Sequence, residues 1–154
     1  MTRSKTMTQA EPFEELRLRL EAAEERQRSL TEFGHEWDHT IRNELQRLAR
    51  VLWPNDHARS LLPVHRVRLR HRVEGEAWVW WVERDIPPYD LYRCQAYRVM
   101  LTLDARGEPV LTVQSGAGYS PVAPLTLAAL EAALSHAGQR PPLVIPRAMG
   151  EAIY

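Results

Sequence analysis

The feature that most constrains this chain is an apolar stripe of seven-residue period. Phe13, Leu16, Leu20, Ala23, Leu30, Trp37, Ile41, Leu48 and Val51 fall on alternating three- and four-residue steps, and only Gln27, Gly34 and Glu44 break the register. A stripe of this period is one face of a helix that needs a partner. Pro12 suits a first helical turn, and Glu14 and Glu15 follow where the helix dipole favours negative charge. Residues 16–30 are rich in Leu, Ala, Glu and Arg, all good helix formers. Pro54 ends the pattern. The spacing therefore predicts a helix over 11–53. At about 1.5 Å per residue it is roughly 60 Å long, whereas a domain of about 100 residues has a radius of gyration near 13 Å. Such a helix overhangs the domain unless it breaks at Gly34 into a hairpin, with Gly34 at C′ and Asp38 as the next N-cap. The heptad phase persists across Gly34, which favours one continuous helix.

The remainder reads as strands and a second helix. Residues 64–84 alternate in polarity around a Glu74–Gly75 turn. A two-residue loop there sets Val73 opposite Glu76, His71 opposite Trp78 and Leu69 opposite Trp80, an apolar face. The other face carries Arg66, Arg68, Arg70 and Arg72, opposite Glu83, Trp81, Val79 and Ala77. Tyr92–Leu103 reads as a long strand, Asp104–Glu108 as its turn and Val110–Gln114 as the returning strand. Gly116–Pro124 reads as a plain connection, because its Gly-Ala-Gly lacks the third glycine of a phosphate-binding loop. Thr126–Ala137 is a helix closed by Gly138. The expected architecture is α+β: a long N-terminal amphipathic helix, a four-stranded antiparallel meander of two hairpins, a C-terminal helix and an extended tail. Residues 1–10 read as a disordered leader. Residues 11–154 read as one domain, with the helix at 11–53, the sheet at 64–114, the second helix at 125–138 and the tail at 139–154.

Charge narrows the partners. The chain carries 20 basic and 20 acidic residues, so no global field draws it to nucleic acid or a membrane. Cys94 is the single cysteine, which leaves no intrachain disulfide and no cysteine-based zinc site. No apolar run is long enough to span a bilayer and no signal-peptide core follows the polar start, so a cytoplasmic protein is expected. No cofactor is expected.

Three surfaces carry chemistry. His35-Glu36-Trp37-Asp38-His39 has the H-E-x-x-H spacing, which on a helix sets two imidazoles on one face for zinc with Glu36 as general base. A third ligand would come from Glu44, Asp56, His57 or another residue that no motif marks. The bland alternative is a solvated face of His35, His39, Arg42 and Gln46. His39-Thr-Ile-Arg-Asn43-Glu-Leu45-Gln46 also resembles the phosphoacceptor box of sporulation-type phosphotransferases and citrate-type sensor kinases. That resemblance covers eight residues, with Thr40 where an acidic residue is usual. It implies that His39 is phosphorylated within a helical hairpin that dimerises into a four-helix bundle. The arginine ladder Arg66, Arg68, Arg70 and Arg72, with Trp81 exposed beside it, is a candidate nucleic-acid surface. Alternatively this face is simply solvent-exposed, or it lies under Glu14, Glu21 and Glu25 of the helix.

The principal reading is a non-enzymatic protein-binding or assembly module. It associates, with itself or another protein, through Phe13, Leu16, Leu20, Leu30 and Trp37. A nucleic-acid-binding accessory protein and a zinc hydrolase or phosphotransfer protein are the alternatives.

Overall fold

A computed structural model of the chain describes residues 11–54, 67–86 and 90–146. The predicted leader, most of the segment between the first helix and the first strand, and residues 147–154 of the tail lie outside the described residues. The fold is α+β. Helix α1 (Glu11–Leu52) leads into strands β1 (Arg68–Glu74), β2 (Ala77–Ile86), β3 (Asp90–Leu103), β4 (Pro109–Ser115) and β5 (Gly118–Pro121). Helix α2 (Leu127–Gly138) and strand β6 (Leu143–Pro146) follow.

Helix α1 is a single element of 42 residues. It does not break at Gly34, which is buried beneath the ring of Trp78. Helix α2 begins at Thr126, whose hydroxyl accepts the backbone N–H of Ala129 at 3.1 Å. That bond satisfies one of the free donors of the first turn.

The sheet is antiparallel throughout, in the order β1-β2-β3-β4-β5, with β6 also pairing with β3. It has six strands where four were expected. Both additions use the length of β3. Strand β4 pairs with Arg98–Leu103 and leaves Arg93–Ala96 open on the same edge, where β6 docks. Strand β5 arises inside the expected Gly116–Pro124 connection, where Gly118 turns the chain at φ 129°.

The first hairpin also differs in register. Glu74 pairs with Ala77, so the loop is Gly75–Glu76 and Arg68 faces Glu83. Gly75 occupies the first loop position at φ 57°, the left-handed conformation that tight hairpin loops require. The shift from the expected pairing is two residues. Side chains alternate with period two, so every residue keeps its face while changing its neighbour.

Both described helices contribute to one core, on the Trp78–Trp80–Val82 face of the sheet. Leu30, Ile41, Leu45 and Leu48 of α1 and Leu130 and Leu134 of α2 bury against Trp80, Val99, Leu101 and Val113. Polar ties fix the helix to the sheet. The Trp80 indole N–H donates to Oδ1 of Asp38 at 2.8 Å, and Arg42 Nε donates to the same carboxylate at 2.9 Å. At the other end of the core Tyr97 donates its hydroxyl to the carbonyl of Arg140 at 2.7 Å.

Candidate functional site

The core accounts for only part of α1. Leu30 is buried and Trp37 is half-buried beside Phe33, with ring centroids 5.6 Å apart. These two expected interface residues belong to the packing of the fold, a correction that follows from the sheet lying under this half of the stripe. Toward the N-terminus the situation reverses. Residues 12–25 are exposed throughout, including Phe13 at 74%, Leu16 at 52% and Leu20 at 54% of full accessibility. The first polar tie to the sheet is Arg26, whose guanidinium donates to the carbonyls of Leu103 and Asp104 at 3.2 and 3.0 Å.

The exposed half carries its own surface ion pairs. Arg17 bridges Glu14 and Glu21, Arg19 pairs with Glu15 and Arg28 with Glu25. Such pairs at three- and four-residue spacing are individually weak. They line the flanks of a seam formed by Phe13, Leu16, Leu20 and Ala23. This seam continues, on seven-residue steps, the face that Leu30, Gly34, Ile41 and Leu48 turn to the core. A straight α-helix drifts only about 20° per heptad from that period, so the free seam and the buried one share a side of the helix.

The other two surfaces are arranged differently from the sequence expectation. His35 meets the edge of Trp78 at 5.1 Å between ring centroids. His39 is exposed, with Nε2 3.1 Å from Nδ2 of Asn43. Glu36 is exposed, and Asp38 is committed to Trp80 and Arg42. Burial opposes ionisation of Asp38, but the bonds from Trp80 and Arg42 outweigh it and hold its carboxyl below the usual range. No group of three or more His, Cys, Asp or Glu that would hold a metal ion occurs among the described residues. Asp56 and His57 lie outside them, and Glu44 is buried with Arg47 at 3.4 Å. The resemblance to phosphoacceptor boxes implied a helical hairpin, whereas the described chain after α1 enters a sheet.

The arginine ladder is consumed largely by the sheet itself. Arg66 lies outside the described residues. The Arg68 side chain is only 14% exposed. Its Nη2 donates to Glu83 Oε2 at 2.9 Å and to Asp85 Oδ1 at 2.7 Å. Arg70 Nε lies 3.1 Å from Glu83 Oε1. Arg72 remains exposed and pairs with Glu74. Trp81, expected to be exposed, is 7% exposed. Its indole N–H donates to Glu83 Oε1 at 2.7 Å, with Arg72 and Arg98 over the ring at 5.5 and 6.0 Å. A ring this buried and already engaged by two guanidiniums offers little surface to a stacking base.

Cys94 closes this network by donating its thiol to Glu83 Oε2 at 3.2 Å. Burial and the adjacent Glu83 carboxylate push the thiol up to about 12, far from the depressed range of a nucleophilic cysteine. Burial works against the charge of Glu83, yet Trp81, Arg68 and Cys94 hold its carboxyl below the usual range. Arg68 is held above its ordinary value by Asp85 and Glu83 despite its own burial. The helix Glu14, Glu21 and Glu25 take no part. Sequence reasoning placed Glu83 on the arginine face but missed Asp85 and the joint capture of Arg68, whose signal was two acidic residues on the arginine side of β2. It also missed a groove of about 340 Å³ between α1 and α2, lined by Leu48, Val51, Leu52, Leu134 and Gly138.

No helix among the described residues is long and apolar enough to cross a membrane. Comparison with protein-family models, with curated proteins and with solved structures returns no match.

Proposed function

We propose that this chain is a non-enzymatic assembly module that associates through the overhanging half of α1. The observation that carries this reading is the exposed heptad seam Phe13–Leu16–Leu20 on a helix whose remaining length is packed into a core. Residues 12–25 continue the 42-residue helix α1, so their helical form needs no separate nucleation. Three large apolar side chains in one row along it favour burial against another helix. The rivals have less support: the arginines and Trp81 are occupied by carboxylates and by one another, and the His35–Glu36–His39 face gathers no third ligand among the described residues.

The test is the mass in solution, by light scattering over a dilution series, of the full chain and of a Leu16→Glu/Leu20→Glu variant. A species larger than the 17.8 kDa chain, reduced to that mass by the double substitution, is expected. Both residues lie outside the core, so the near-ultraviolet circular dichroism of the buried tryptophans Trp53, Trp78, Trp80 and Trp81 should stay unchanged. A wild-type chain that is monomeric at every concentration overturns the reading.

A further inference from the structure

We infer that the occupant of the free seam is a second copy of this chain, its α1 running antiparallel, with Phe13 of each copy packed over Ala23 of the other. This inference rests on the assembly reading, in which the chain associates with itself, and adds to it the direction and the register.

The direction follows from what blocks the alternative. The free seam lies on the same side of α1 as the core-facing residues. Beyond Arg26 that side is occupied by the end of β3 at Leu103 and by the β1–β2 hairpin, with Glu76 beside Ala23, Gln27 and Leu30 in a shallow notch. A parallel second helix would run into this hairpin within a turn of leaving the seam. An antiparallel helix runs from the notch outward and carries its own domain to the far end. Two overhangs of equal length then overlap completely, over about 20 Å at roughly 1.5 Å per residue.

Complementarity fixes the register. Pairing Leu16 with Leu20 of the second copy also pairs Phe13 with Ala23, so all four seam positions are used in both chains. The largest side chain lies opposite the smallest, which is how facing layers interdigitate without voids. It also brings Phe13 to the notch at Ala23, Leu30 and Leu103, where seam and domain meet. The arginines that approach the twofold axis arrive neutralised, Arg17 by Glu14 and Glu21 and Arg19 by Glu15. The helix dipoles oppose one another in this arrangement.

Pulsed electron–electron resonance on the full chain with a nitroxide at Glu32→Cys tests the direction. Glu32 is exposed on α1, and native Cys94 is fully buried and escapes labelling. The antiparallel register predicts a label separation of about 40 Å along the axis at roughly 1.5 Å per residue. A parallel pair, with axes about 10 Å apart, keeps the labels within roughly 20 Å. An equimolar mixture of the Phe13→Cys and Ala23→Cys single variants is expected to cross-link between the two variants under mild oxidation, whereas a parallel pair cross-links each variant to itself. A dimer with the short separation overturns the antiparallel inference and leaves the assembly reading standing; a monomer at all concentrations overturns both.

Discussion

Gly34 lies directly beneath Trp78: a Cβ at residue 34 would fall 2.0 Å from Cε3 of the indole. The ring cannot yield easily, because Trp80 stacks on it at 5.6 Å and His35 meets its edge. The glycine that looked like a hinge is a point of close approach between a helix and a sheet. Gly34→Ala is expected to lower stability by about 1–2 kcal/mol. Overpacking costs about 1–3 kcal/mol and the better helix propensity of Ala returns up to about 1. An unchanged or raised urea midpoint would contradict the close approach.

The two ends of the arginine ladder should behave differently. Arg68→Ala leaves Glu83 and Asp85 buried without their shared cation, a loss of about 3–5 kcal/mol. Arg72→Ala removes an exposed partner of Glu74 and should cost less than about 1 kcal/mol. Equal effects in chemical denaturation would show that the ladder acts as a surface and not as part of the sheet.

Acid should unfold this protein partly through Asp38 and Glu83. Their ordinary values are 3.8 and 4.5, and both are held lower in the folded chain. The folded state therefore binds fewer protons than the unfolded one. The stability these groups contribute is fully present above about pH 5 and is lost as pH falls through their folded values. Asp38→Asn should flatten the stability profile below about pH 4. Denaturant midpoints measured from pH 7 downward read this slope, and parallel profiles for variant and parent would refute it.

Cys94 should be inert in the folded chain. Its thiol is fully buried and raised from 9.0 to about 12. Aromatic disulfide reagents at pH 8 are expected to react at the rate of unfolding and to completion in denaturant. Fast reaction under native conditions would place the thiol within reach of solvent. Because the raised value keeps the folded thiol protonated, the linked stability is present below pH 9.0 and is lost as pH rises toward 12.

Much of this fold is legible in sequence because its signals are local. The heptad period specifies α1, alternation specifies the faces of β1 and β2, and Gly107 at φ 81° marks the turn before β4. The two-residue error in the first hairpin has the same origin, since alternation determines a face but leaves neighbours along it open to even shifts. Strand β6 was less legible: four residues become a strand only because β3 offers an unpaired edge.

The sequence by itself determined that a helix of about 60 Å carries one apolar side and that it is joined to an antiparallel sheet. Only the tertiary structure decided where that side stops being core and becomes free surface. Leu30 and Leu20 occupy equivalent seams, yet one is 2% exposed and the other 54%. Periodicity fixes which way a side chain points relative to its own helix, whereas burial depends on what lies opposite. That is set by the extent of the sheet and by contacts between residues far apart in the chain, such as Arg26 with Leu103 and Arg68 with Asp85.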